Sequence, residues 1–292
     1  MSKTSNWLTA SRTQGRLPQL AEIAKRYIPL AYSGFVHSEL WQDVETFCLF
    51  LGYPRSGHTL VGSLLNAHPH IAISHEADIL KYAHAGYSRY QIYELILELS
   101  QRSADPSHKI GGGYNYYVPN QWQGRTEQLK VLGDKKGGGT TLRIAASPKP
   151  LSNLRKILDV DLKFVHVYRN TYDNISTLAK KTPHLKGDLK RSIDYYFFLC
   201  KASSDVKESL SADEIFEFGH EDFIDDPRAY LQQLCTFLGV EPIESYLADC
   251  AKVVYRSPSN SRHSTEWSAE LIDYVATKMQ SFPFLQNYTY ND

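Results

Sequence analysis

The stretch that most constrains the fold of this 292-residue chain runs from Thr46 to Pro69, TFCLFLGYPRSGHTLVGSLLNAHP. Its first part, Phe47-Cys48-Leu49-Phe50-Leu51, is short and continuously apolar, as suits a strand in a sheet covered on both faces. Gly52-Tyr53-Pro54-Arg55-Ser56-Gly57 breaks the run. Leu60, Val61, Leu64 and Leu65 then recur at helical spacing until Asn66 and Pro69 end the helix. Strand, glycine-bearing turn and helix together present free backbone N–H groups and the positive end of a helix dipole to an anion.

Further strand-like runs alternate with helical patterns along the chain. Ile71–Ser74, Leu129–Leu132, Leu162–Tyr168 and Glu214–Phe218 read as strands. Helical spacing marks Leu17–Tyr32 (Leu20, Ile23, Ala24, Tyr27 and Ile28 on one face, ahead of a loop through Gly34), Ile92–Leu99, Ser192–Leu210, Pro227–Leu238 and Ser268–Gln280. The expected fold is α/β: a mostly parallel central sheet flanked by helices, a three-layer sandwich like that of P-loop NTPases, with ligand at the carboxyl ends of the strands. One domain over 1–292 is expected, with a helical extension over 1–45, a core over 46–240 and a helical segment over 241–292.

Lys plus Arg and Asp plus Glu balance at 32 each, so no global field recruits nucleic acid or an anionic membrane, and anion binding must be local. Cys48, Cys200, Cys235 and Cys250 lack CxxC spacing, which favours a reducing compartment. No segment approaches the roughly 20 apolar residues of a membrane span. The polar N-terminus lacks a signal-peptide core, so a cytoplasmic location is expected.

Gly52 and Gly57-His58-Thr59 fit the phosphate-loop pattern GxxxxGK[ST] with one departure. His58 stands where a lysine would reach the β/γ-phosphates, while Arg55 places a cation inside the loop. Tyr53-Pro54-Arg55-Ser56-Gly57-His58-Thr59-Leu60 resembles the 5′-phosphosulfate loop of sulfotransferases that use 3′-phosphoadenosine 5′-phosphosulfate (PAPS), with His58 where Thr is usual. Downstream, the apolar run Leu162–Tyr168 is followed by Arg169-Asn170 and, eight positions after the arginine, Thr177 with Ser176 beside it. This resembles the family's 3′-phosphate motif. Phe218-Gly219-His220-Glu221-Asp222-Phe223, with Phe237-Leu238-Gly239 later, resembles the segment whose Tyr lies beside the adenine; here His220 takes that place. The resemblance covers roughly Phe47 to Leu238, closest in spacing to the tyrosylprotein and bacterial types.

The resemblance implies a sulfotransferase moving a sulfuryl group from PAPS to a hydroxyl, phenol or amine, leaving adenosine 3′,5′-bisphosphate, with no metal. It implies donor binding by Arg55, Ser56, Gly57, His58, Thr59, Leu60, Arg169, Ser176, Thr177 and His220, with Arg262 in a C-terminal loop over the 3′-phosphate. Arg55 and Lys135 would stabilise the leaving oxygen, with Lys136 competing for the latter role. Glu76 is the candidate base, from its spacing after Arg55, with His75 and His58 as rivals. The residues alone leave plainer readings open: Glu76 and Asp78 as first-turn acids of a helix, and Asp134 as a Walker B look-alike. The Ser103–Arg125 loop, with Tyr114, Tyr116, Tyr117 and Trp122, suits an acceptor-binding wall as well as surface packing. A small molecule, glycan or peptide could be the acceptor. A P-loop kinase or hydrolase would need a lysine at position 58, and a non-catalytic nucleotide-binding protein would not need Lys135 or Glu76.

Overall fold

A computed structural model describes residues 16–103 and 116–292. Five strands form one sheet: β1 (Thr46–Leu51), β2 (Ile71–Ser74), β3 (Val131–Asp134), β4 (Asp161–Tyr168) and β5 (Ile215–Gly219). They lie in the order β2-β3-β1-β4-β5, and every neighbouring pair is parallel. All six residues of β1 are buried, which is why its sequence is apolar without alternation.

Alternate residues of β1 feed two cores. Phe47, Leu49 and Leu51 pack with α3 (Ile79–His84), α4 (Arg89–Ser103) and α6 (Lys149–Leu158), through Ile79, Ile96 and Leu154 among others. Cys48 and Phe50 face α2 (His58–Leu65), α10 (Pro227–Leu238) and α11 (Glu244–Val253). A third cluster joins α7 (Thr171–Lys181), α8 (Leu189–Lys207) and α12 (Ala269–Met279). Helices on both faces of a parallel sheet make the three-layer, P-loop-like α/β sandwich. Fully burying one Leu or Phe here contributes about 1.5–3 kcal/mol, so Leu49→Ala would cost about 2–5 kcal/mol through transfer and cavity terms.

From β1 the chain moves to β2 and β3 on one side, then crosses to β4 and β5 on the other. The connections therefore diverge at β1, and a crevice opens beyond its carboxyl end. The Gly52–Gly57 loop occupies that position.

Three local expectations change. The first helix, α1 (Arg16–Val36), runs on through Gly34. A Cβ at Gly34 would lie 2.7 Å from the carbonyl oxygen of Tyr90, so this glycine permits close helix packing and marks no loop. The helix turns Ile23, Leu30 and Gly34 inward and leaves Leu20 and Ile28 outside. Strand β3 starts two residues later than read, because its pairing with β2 begins at Ile71↔Val131. The Gly111–Tyr114 part of the long loop lies outside the described residues. Trp122 donates its backbone N–H to Ala67 O, just beyond the far end of α2. Among the described residues, no helix is long and apolar enough to cross a membrane.

Candidate active site

Gly52, Arg55 and Gly57 have φ of 117°, 72° and 104°, and these left-handed steps fold the loop between β1 and α2. Gly57 is required twice over. An L side chain rarely adopts its φ, and a Cβ there would sit 3.1 Å from the His220 ring. Gly52 N–H donates to Thr141 Oγ1 (2.8 Å) of α5 (Gly137–Ala146), and Ser56 Oγ donates to Tyr53 O (3.0 Å). Helix α2 begins at His58, so the N–H groups of its first turn have no partners within the helix. Thr59 and Leu60 belong to that turn. The Arg55 side chain is exposed, and its carbonyl accepts from Arg169 Nη1 at 3.3 Å.

His58 does not take the place of the missing lysine. Its ring is buried, edge-on to Phe50, with Nε2 3.2 Å from Ser56 Oγ and Cε1 2.5 Å from where a Cβ on Gly137 would lie. Burial, then the neighbouring His166 and Lys135, push its pKa down to about 3. The imidazole is a neutral packing group beneath the loop.

Lys135 follows β3 directly and is 4 % exposed. Its Nζ donates to Glu76 Oε1 (3.0 Å) and to Thr59 Oγ1 (3.3 Å), while Lys136 Nζ donates to Glu76 Oε2 (2.8 Å). The two lysines weighed from sequence thus hold the same carboxylate, and Lys135 also reaches the phosphate loop. Burial pushes the Glu76 carboxyl up, but Lys135 and Lys136 outweigh it and bring the pKa to about 2.

Glu76 is not in a helix. It and Asp78 have φ of 63° and 61°, ahead of α3, in a turn that costs on the order of 1–2 kcal/mol per residue. Asp134 holds that turn: its buried carboxylate accepts from Ser74 Oγ (2.9 Å), Ala77 N (2.9 Å) and Ile79 N (3.0 Å). These three donors tie the carboxylate to the chain on both sides of Glu76, so Asp134 organises the turn that presents Glu76. Burial raises its pKa to about 6. Asp78 binds Arg143 (2.8 and 2.9 Å) and Lys81 (2.5 Å), pinning the turn from the other side. His75, beside Glu76 in this turn, is half-buried.

At the end of β4, Asn170 caps α7 by accepting from Tyr172 N (3.0 Å) and Asp173 N (3.3 Å). Arg169, just before it, is buried and donates through Nη2 to Ser259 O (2.7 Å). The segment around Ser259–Trp267 lies against α7. Thr177 Oγ1 donates to Asp173 O (2.8 Å) and lies 2.8 Å from Ser261 Oγ, and Trp267 Nε1 donates to Ser176 Oγ (3.1 Å). Arg262 is buried in this segment. Its backbone N–H donates to Asp173 Oδ1 (2.8 Å), and its guanidinium pairs with the same carboxylate, which also lies 3.8 Å from Arg169.

Sequence reading passed over Asp173, although its position four residues after Arg169 places it on Arg169's side of the first turns. Two guanidiniums meet this one carboxylate. Among the described residues, Arg169 Nε, Arg262 Nε and His220 Nδ1 are buried with no hydrogen-bond partner. His220 lies against Gly57, and burial followed by Arg169 pushes its pKa down to about 4.

The site residues therefore gather at the carboxyl ends of β1, β3 and β4, with the β2–α3 turn and the Ser259–Trp267 segment closing around them. No curated protein matches the chain. It is similar in fold to the sulfotransferase domain from the Synechococcus PCC 7002 olefin synthase: 17 % identity, 82 % of this chain and 95 % of that one covered, TM-score 0.52. It is also similar to the sulfotransferase domain from the curacin biosynthetic pathway: 14 % identity, 82 % and 98 % covered, TM-score 0.50. The sequence pattern of the sulfotransferase family matches residues 49–244, which span most of the chain and every strand but the start of β1. By that match the chain belongs to the sulfotransferase family and is an enzyme of sulfuryl transfer.

Proposed function

We propose that PAPS is the sulfuryl donor, a hydroxyl or amine the acceptor, and adenosine 3′,5′-bisphosphate the product, without a metal ion. One observation carries the choice of donor. Beside Thr177 and Ser176, Arg169 and Arg262 present buried Nε–H groups without acceptors and share the single carboxylate Asp173. A 3′-phosphate supplies the missing acceptors and charge. The 5′-phosphosulfate would lie in the loop, on Arg55 and the backbone N–H groups of Ser56, Gly57, His58, Thr59 and Leu60. His220, behind Gly57, would support the loop from the nucleotide side.

In transfer, the acceptor oxygen bonds to sulfur while the bond from sulfur to the bridging phosphate oxygen breaks. That oxygen leaves with the electron pair. Lys135 and Arg55 would stabilise the charge growing there, and Glu76 would take the acceptor's proton. Lys135 already bridges Thr59 and Glu76, so turning it toward the leaving oxygen loosens its hold on the base. A non-catalytic binding protein would have no use for this pair. A kinase is disfavoured because His58 packs under the loop. We further read the chain as one domain, with extension, core and C-terminal segment as above, and place it in the cytoplasm, where four buried free thiols would stay reduced.

The test is thermal. Adenosine 3′,5′-bisphosphate without metal should raise the melting temperature well above the shift given by ATP with magnesium. Equal shifts, or a need for magnesium, would sink the donor assignment.

A further inference from the structure

Of the nine large apolar side chains exposed on the described surface, eight cluster on α1, the short 3-10 turn after it (Ser38–Trp41) and the start of α4. Ile28, Tyr32 and Phe35 are 76 %, 73 % and 76 % exposed, and Leu20 is 60 % exposed. Tyr90 joins the patch because Gly34 rests on its carbonyl. Between Tyr27 and Val36 the sequence YIPLAYSGFV holds no charge. The opposite side of α1 is already used, with Leu30 and Gly34 buried against the body of the protein. From Tyr27 to Val36 the helix is apolar on both sides, and a stretch of that kind belongs between two bodies.

We propose that the second body is another copy of this chain, docked α1 against α1 as an antiparallel two-fold pair centred on Ile28. Three features of the patch point to a self-pairing. The positions Ala21, Ala24, Ile28, Ala31 and Phe35 recur at alternating steps of three and four, the seam spacing of paired helices. With Ile28 on the axis, Phe35 of one copy faces Ala21 of the other and Tyr32 faces Ala24, so these two aromatic side chains meet small ones, while Ile28 meets its own copy and Leu20 meets Val36. The eight side chains are 41 % to 76 % exposed, so each has apolar surface left for a partner to cover. A lipid surface fits less well. The chain has no net charge, and among the described side chains of α1 Arg26 is engaged by Glu22 and Glu98, which leaves the exposed Lys25 as a single cation beside the face, short of the cluster of roughly four or more that draws a surface to anionic headgroups.

Sedimentation velocity and oxidative cross-linking of the full chain test the pairing. At about 50 µM the wild type should sediment at twice the chain mass, a concentration that a Kd in the micromolar range saturates. Ile28→Glu and Phe35→Glu should sediment at the chain mass, with melting temperatures within a few degrees of a monomeric reference such as the wild type diluted below its Kd. Cross-linking fixes the geometry without relying on those variants folding well. Ile28→Cys should form a disulfide-linked dimer on mild oxidation, because the axis brings the two copies of residue 28 together. Phe35→Cys should not, since its two copies would stand roughly 21 Å apart along the helices, beyond disulfide reach. The four native cysteines are buried and give no background. A monomeric wild type, a dimer that survives both glutamate variants, or a self-linking Phe35→Cys would overturn the proposal. A monomer that floats with phosphatidylcholine vesicles would assign the face to lipid instead.

Discussion

Lys135 Nζ lies 3.0 Å from the Glu76 carboxylate and 3.3 Å from the Thr59 hydroxyl, so a single buried ammonium joins the acid to the phosphate loop. Lys136 takes the other carboxylate oxygen at 2.8 Å. Held at a pKa of about 2, Glu76 is a weak base, since a catalytic base works best near the operating pH. An anionic donor in the loop would compete for Lys135 and so release Glu76. In the proposed mechanism, proton abstraction by Glu76 would then wait on donor binding.

Glu76→Gln should lower kcat by roughly 10²–10⁴-fold, the usual worth of a general base, while leaving affinity for the bisphosphate nearly intact. Lys135→Ala should also lower kcat more than it weakens bisphosphate binding, because it would act on charge that appears only in the transition state. Rapid-mix turnover and calorimetric titration on the same preparations separate the two parameters. Near-full activity in Glu76→Gln would remove it as base.

Arg169→Ala should act on the donor instead. Losing a charge-assisted hydrogen bond costs about 1.5–3 kcal/mol, or roughly ten- to a hundredfold in bisphosphate affinity. The loss should exceed any change in kcat at saturating donor. The variant also frees the Arg55 and Ser259 carbonyls, so the loop and the C-terminal segment should exchange amide protons faster. An unchanged dissociation constant takes Arg169 out of the site.

Asp134→Asn tests the turn beneath Glu76. An amide offers one acceptor oxygen to Ser74 Oγ, Ala77 N and Ile79 N, so at least one buried donor goes unmet, at about 1–3 kcal/mol. Activity should fall with little change in bisphosphate affinity. Burial lifts the Asp134 carboxyl from 3.8 to about 6, so the folded chain holds this proton more tightly than the unfolded chain does. Its contribution to stability is full below pH 3.8 and is lost as the pH rises through about 6, on the order of 3 kcal/mol in all. Urea unfolding of wild type and variant across pH 4 to 7 should show this decline only in the wild type. Parallel curves would mean that Asp134 does not titrate in that window.

The strand, loop and helix from Thr46 to Leu65 could be read because each is a local pattern: an apolar run, a glycine turn, a helical repeat. Arg169 and Thr177 could be singled out as candidates through the resemblance of a short local motif, an apolar run, an arginine and a hydroxyl eight positions on. Asp134 and Asp173 could not be assigned, because their partners lie far along the chain: Ala77 and Ile79 for the first, Arg262 for the second. Glu76 and Asp78 resemble helix-start acids in sequence, yet both are left-handed, with their carboxylates taken by lysines and an arginine from the next segment. At Gly34 the local signal for a turn gave way to the packing of α1 on α4.

Lys136→Met bears on which group is the base. At saturating donor, Lys135 would be drawn to the leaving oxygen, and Lys136 would be the cation left on Glu76. The acidic limb of kcat/KM for the acceptor should then report the Glu76 carboxyl, with activity lost as the pH falls through its pKa. Removing Lys136 takes away a stabiliser of the ionised form, so the limb should move to higher pH. The pair is half-exposed and worth about 0.2–1 kcal/mol, which limits the shift to roughly 0.7 of a pH unit. Glu76→Gln should erase the limb, and His75→Ala should leave it in place. His58, neutral and packed beneath the loop, should contribute no limb near neutrality. A limb that persists in Glu76→Gln but disappears in His75→Ala would make the imidazole the base and leave Glu76 as the group that positions the two lysines.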